Sequence, residues 1–244
     1  MANEVISKFA TTKFSREFGI PSGKCVVSFD NTVGALCRGW LNYTPVDFCT
    51  KLLHGVEGCY VTTNLATAIW LPSTPKIPLS ATKFIIHPVN LHRNHWGVII
   101  AWVQYVSSSN KLSIRCYLYE PLIDEGYHAD MEKAWGGLYD KKGGVNWCDA
   151  TDPNVQLQYD PVEWVETPHQ PDYARSGVMV VAQAYAFVSG NLQWRFHNVS
   201  KDDVKCMRLR MLWIILCKSQ PKPISLSTAT KTKTTPLQLQ EQLN

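Results

Sequence analysis

The sequence predicts an α+β fold. Two long β-type runs, Trp96–Val106 and Leu112–Glu120, stand on either side of a four-residue polar break and read as an antiparallel hairpin. Apolar stretches of helical length come before and after that hairpin, the order of segments expected when helices gather beside an antiparallel sheet. The composition agrees, because 45% hydrophobic and 18% charged residues give a substantial core and too little charge for a disordered chain.

Taken in order, the first segment with a helical signature is 45–53. Asn42 or Thr44 suits the cap and Pro45 suits the first turn, while the apolar positions Trp40, Leu41, Val46, Phe48, Leu52 and Leu53 recur at mixed spacings that suit one helical face only in the second half. Trp40, just before it, belongs to a leading turn. Lys83–Val89 is a short strand broken at Pro88. In the hairpin, Leu112, Ile114, Cys116 and Leu118 alternate with polar residues, and Ser107-Ser108-Ser109-Asn110 forms the turn. If the turn centres on that tetrapeptide, paired residue numbers add to about 217, so Glu120 falls opposite position 97 and close to His95. Residues 121–166 read as surface loops around one short helix near Tyr127–Trp135. Ser176 then suits the cap of a buried helix, Gly177–Val188, that Gly190 stops. A last helix runs near Lys201–Lys218. The expected organisation is a single domain over 1–218 and a Ser/Thr/Lys/Gln-rich flexible tail over 219–244.

Several function classes are excluded by this composition. A formal charge of +4, from 24 basic and 20 acidic residues, lacks the excess of a dedicated nucleic-acid binder. The longest apolar runs fall short of the roughly 20 residues that span hydrocarbon, so no membrane partner is expected. Met1–Phe14 has no secretory apolar stretch, and an intracellular location, nuclear or cytoplasmic, is the expectation. The eight cysteines form no C-x-x-C pair and read mainly as buried thiols, which leaves neither a zinc ribbon nor a disulfide scaffold. His92-Arg93-Asn94-His95 has no matching Cys or His pair elsewhere, so no metal or other cofactor is expected.

The chemistry concentrates elsewhere. Acyl transfer by a side-chain nucleophile needs a base beside it, a group that orients the base, and donors aimed at the oxyanion. The hairpin supplies an imidazole and a carboxylate in His95 and Glu120, with His92 and Asp124 as the competing residues for those roles. Position 176 lies at a helix N-terminus, where the dipole and free N–H groups favour negative charge, and Gly177 permits close backbone approach. Gln170, six residues upstream after Pro168-His169, carries an amide able to donate to an oxyanion.

These residues resemble the ubiquitin-like-protein-specific cysteine proteases, the family that processes SUMO and similar modifiers and is related to adenain. Trp40-Leu41-Asn42 is similar to the family's W-L-N-D motif, with Tyr43 in place of Asp. Phe84–Asn90 followed by His95-Trp96 is similar to the strand leading into the catalytic H-W pair. Tyr117–Leu122, Y-L-Y-E-P-L, resembles the strand end that carries the acid, with Glu where most members have Asp and adenain has Glu. His169–Val180 resembles Q-Q-P-N-x-x-D-C-G-V, and the segment around Arg208–Leu212 resembles the closing helix. The resemblance implies a papain-like fold with a central mixed or antiparallel sheet flanked by helices. It further implies a thiol-protease site of His95, Glu120, position 176 and Gln170, and a narrow passage for a modifier's Gly-Gly tail walled by Trp40 and Trp96 beside Gly177. The implied partner is a ubiquitin-like modifier of SUMO type, or its conjugates, cut after the modifier's C-terminus.

Two positions depart from the pattern: Ser176 stands where the family has Cys, and Arg175 where it has Asp or Asn. A site shaped for sulfur should be nearly inert with a hydroxyl, so the expectation is a cysteine-type peptidase by descent that is inactive as written, a pseudoenzyme. Natural loss and a deliberate Cys→Ser replacement both explain Ser176, and the second leaves Arg175 unexplained. A non-catalytic modifier-binding module is the alternative reading. A YopJ-type acetyltransferase, which uses a His-Glu-Cys triad, is a more distant one.

Overall fold

The computed structural model describes residues 17–19, 26–28, 36, 40–62, 77–139, 154–191, 198–218 and 220–221. Within them the expected hairpin is the centre of the molecule. Strand β5 (His95–Val106) turns through Ser107–Ser109 and Asn110, which adopts a left-handed φ of 48°, into β6 (Lys111–Tyr119). The ladder runs from Val98↔Tyr119 to Val106↔Lys111, the register expected from the turn.

Around this hairpin, β4 (Phe84–Leu91) pairs antiparallel with β5, and β3 (Cys59–Val61) pairs parallel with β4. On the far side β7 (Gln156–Tyr159) and β8 (Glu163–Trp164) follow each other along β6, both parallel to it, and complete a six-stranded mixed sheet. A separate three-stranded sheet joins β1 (Glu17–Gly19), β2 (Val26–Ser28) and β9 (Gln220–Pro221). The start of the expected tail thus pairs with β1, and 222–244 lie outside the described residues. Strands β7 and β8 fall where only loops around a helix were expected. They are short and mostly exposed, so their own sequence carries little alternation; β6 supplies their hydrogen bonds.

The helices are α1 (Tyr43–Lys51), α2 (Glu125–Tyr139), α3 (Ser176–Val188) and α4 (Lys201–Lys218). Asn42 caps α1, its Oδ1 accepting the Thr44 N–H at 3.0 Å. Ser200 and Asp203 cap α4 reciprocally, and Gly190, at φ 73°, ends α3 as expected. Strand β5 is buried on both faces, which explains its continuous apolar run. Val98 and Ile100 face the core shared with α1, α3 and α4, whereas Ile99, Ala101 and Val103 face a second core that includes Met131 of α2.

Two expectations are corrected. Pro88 does not break β4, which continues to Leu91. The β3 partner ends opposite Ile86, so among the described residues β4 is an edge beyond that point, where a missing N–H removes no ladder bond. Ser176 does not cap α3. It is the first helical residue, Arg175 occupies the cap without a side-chain bond, and the Ser176 hydroxyl is engaged elsewhere.

Two predictions follow from packing and burial. Gly177 sits where α1, α3 and β5 meet, and a Cβ there would lie 3.0 Å from Leu41 Cβ, 3.1 Å from Val46 Cγ2 and 3.2 Å from Trp96 Cδ1. Helix propensity offers Gly177→Ala at most about 1 kcal/mol, and overpacking strain of about 1–3 kcal/mol exceeds it, so the urea midpoint should fall. An unchanged midpoint would mean that α3 shifts freely.

The second concerns His87, buried in β4 and hydrogen-bonded to Thr62, whose pKa burial pushes down from the ordinary 6.5 to about 4. The unfolded chain binds this proton before the folded one does. Stability on the order of 3 kcal/mol is therefore fully present above pH 6.5 and lost as pH falls toward 4. Denaturant titrations at neutral and mildly acid pH should show that slope, and His87→Gln should flatten it.

Candidate active site

The site begins at the turn between β4 and β5. His92 and Arg93 both adopt left-handed conformations, φ 50° and 67°, and the Asn94 N–H closes the turn on the Leu91 carbonyl at 3.2 Å. The turn delivers His95 to the first position of β5. His95 has the parity of Ile99 and Ala101 and so faces α2, while Trp96 has the parity of Val98 and Ile100 and faces α3. On β6 the residues Cys116 and Leu118 share the α2 face, and Glu120 continues that row just past the strand.

The hairpin register therefore places His95 and Glu120 on one face, and they meet: His95 Nε2 hydrogen-bonds Glu120 Oε1. Glu120 is 1% exposed. Its carboxylate also accepts the Leu122 N–H at 2.7 Å and the Asp124 N–H at 3.0 Å. Burial pushes its pKa up, but the His95 hydrogen bond and the two backbone donors outweigh that and hold it below the ordinary carboxylate value. The competing residues have other tasks. Asp124 is exposed and accepts the Gly126 N–H at 2.9 Å at the start of α2, and His92 lies outside, 2.7 Å from Asp130.

Ser176 comes to the same end of β5 from α3. At 1% exposure its Oγ accepts the Trp96 backbone N–H at 3.2 Å, which puts the hydroxyl beside the peptide joining His95 to Trp96 and at the N-terminus of a 13-residue helix. Glu120 engages His95 Nε2, and Nδ1 is the other nitrogen of the ring. The loop before α3 is tied to the end of β6: Tyr119 Oη donates to the Pro168 carbonyl at 2.6 Å and the Gln170 N–H donates to the Pro121 carbonyl at 3.0 Å. The Gln170 side chain is buried, and neither its Oε1 nor its Nε2 has a hydrogen-bond partner among the described residues. A buried amide left unmatched is a donor in want of an acceptor.

Arg175 turns to Asp172, with Nε 2.8 Å from Oδ2, and its carbonyl accepts the Val178 and Met179 N–H groups. The guanidinium holds the Asp172 carboxyl below its ordinary range against the opposing effect of burial. The two tryptophans differ. Trp96 is 2% exposed and its Nε1 donates to the Leu41 carbonyl at 2.9 Å, the setting of a core residue; Trp40 is 48% exposed on the turn before α1. Sequence reasoning missed Tyr127, whose ring stacks on that of His95 with centroids 4.5 Å apart and planes 13° from parallel. One tyrosine in the first turn of an amphipathic helix carries no signal of such a contact.

Among the described residues no group of three His, Cys, Asp or Glu side chains is placed to hold a metal ion, and no helix is long and apolar enough to cross a membrane. The arrangement joins a buried imidazole–carboxylate pair, a hydroxyl at a helix N-terminus and a buried side-chain amide.

No family profile matches the chain, and no curated protein sequence matches it. Solved structures do. The C-terminal Ulp1 protease domain in complex with Smt3, the yeast ortholog of SUMO, is similar at a TM-score of 0.56 and 12% identity, over 89% of this chain and 94% of that one. The SUMO protease Ulp1 with its catalytic cysteine oxidised to a sulfinic acid is similar at 0.55 and 14% identity, over 88% and 94%. The expected α+β architecture is therefore observed, and the chain has the fold of the Ulp1 protease domain.

Proposed function

We propose that this site receives the C-terminal tail of a ubiquitin-like modifier and, as written, binds it without turning it over. The observation that carries the reading is the buried His95–Glu120 pair together with Ser176 Oγ, at the N-terminus of α3, on the backbone N–H of the residue after His95, on a fold shared with a SUMO protease. With Cys at 176 the reaction follows directly. His95 Nδ1 takes the thiol proton, the thiolate adds to the carbonyl after the modifier, and the oxyanion accepts from Gln170 Nε2 and a backbone N–H at the start of α3. Collapse expels the amine, which takes the proton from His95, and water then cleaves the thioester. With Ser176 the first proton transfer is the obstacle, because a hydroxyl is far less acidic than a thiol.

The expected results are specific. The unaltered protein should retain a modifier from a panel of ubiquitin-like proteins and release no fluorophore from C-terminal modifier–fluorophore substrates. Ser176→Cys should be labelled covalently by an electrophilic C-terminal modifier probe, and mass spectrometry should place the adduct at position 176. In that background Gln170→Ala should slow labelling by roughly 100- to 1000-fold, as for other single oxyanion donors. A folded Ser176→Cys protein that no probe labels would refute the reading as it stands. Labelling that appears only after Arg175→Asp is added would mark Arg175 as a second lesion and favour natural loss of activity.

A further inference from the structure

We infer that Tyr127 is a positioning residue for the His95 imidazole, holding the ring plane that Glu120 alone leaves free, an inference that rests on the proposed role of His95. One hydrogen bond, from Nε2 to Glu120, fixes one edge of the ring and leaves rotation about the N···O line. A near-parallel aromatic face at 4.5 Å removes that freedom, and with it the uncertainty in where Nδ1 points.

The support behind Tyr127 is what distinguishes it from incidental packing. The first two turns of α2 are fixed to the segments that carry the site. Asp124, whose own N–H is held by Glu120 at 3.0 Å, accepts the Gly126 N–H at 2.9 Å and the Tyr127 N–H at 3.4 Å through Oδ1. Asp130, one turn later, holds His92 Nε2 at 2.7 Å, and the His92 ring lies 5.5 Å from Tyr127 on its outer side. Met131 fills the space over Gly97, where a Cβ would come within 2.5 Å of its Sδ. Tyr127 is thus lodged between His92 and His95, and the left-handed turn at His92-Arg93 that starts β5 is held by the same helix. Glu120 acts on both sides, orienting the imidazole directly and, through Asp124, setting the helix end that carries the stacking ring.

Two readouts test this. In the chain with Ser176, NMR of the His95 ring protons should show the upfield displacement of a stacked ring. Tyr127→Phe should preserve it and Tyr127→Leu should abolish it. In the Ser176→Cys background, Tyr127→Leu should lower the limiting rate of labelling by the electrophilic modifier probe roughly 10- to 100-fold, as expected for a misplaced base, and leave the half-saturating concentration unchanged, while Tyr127→Phe stays within about twofold of its parent. His92→Ala and Asp130→Asn, at solvent-accessible positions, ask the same question should Tyr127→Leu fail to fold, and each should slow labelling by about two- to tenfold. An unchanged limiting rate in Tyr127→Leu, or in both outer variants where that protein does not fold, overturns the inference. So does a Tyr127→Phe protein as slow as Tyr127→Leu. If the Ser176→Cys parent is not labelled at all, the modifier-protease reading fails by itself, and the NMR comparison still decides whether Tyr127 holds the ring.

Discussion

A carboxylate buried to 1% exposure and still ionised is the constraint on which this site rests. Taking such a charge out of water costs several kcal/mol unless it is met by partners, and Glu120 is met on every side: by the His95 imidazole, by the Leu122 N–H and by the Asp124 N–H. Each partner belongs to a different structural task. His95 begins the central strand, Leu122 lies in the turn that leaves β6, and Asp124 opens α2. Satisfying one buried charge therefore fixes the end of the hairpin, the start of a helix and the orientation of the base together. Loss of the carboxylate would loosen all three, a larger effect than one missing hydrogen bond implies.

Position 176 shows how little a helix N-terminus can do to ionise a hydroxyl. A helix N-terminus stabilises a nearby anion by about 2 kcal/mol at best, equivalent to between one and two pKa units. A thiol starts near 8.5, whereas an alcohol hydroxyl starts far higher, by more than the helix can supply. The helix dipole cannot close that gap, and the Trp96 N–H on Oγ helps by only a single hydrogen bond.

Where the structure was legible in the sequence, the reason is local. The β5–β6 register follows from a four-residue turn and a period of two, which is why His95 and Glu120 could be paired from their numbers. The Gly190 stop and the bounds of α4 follow from single-residue conformational preferences. What was not legible depends on partners distant in the chain. Pro88 is tolerated because β3 has already ended, a fact about residues 59–61. Ser176 looked like a cap because Ser is a good one, yet its hydroxyl is taken by Trp96, 80 residues earlier. Tyr127, Asp130 and Met131 belong to a stretch that the sequence marks only as a short helix, and only the fold shows that it lies over His95 and Gly97.

The oxygen at position 176 also changes what the surroundings can do to this protein. Ulp1 has been captured with its catalytic cysteine as a sulfinic acid, a reminder that an activated thiolate is open to peroxide as well as to substrate. A hydroxyl cannot be oxidised along that series. Burial pushes the Cys59 thiol up to about 12 and raises Cys49 and Cys116 as well, which keeps them protonated and unreactive. Among the described residues Cys206, on the exposed side of α4, is left as the accessible thiol. Among the described residues, peroxide would therefore find its sulfur on the outer side of α4 and not at position 176.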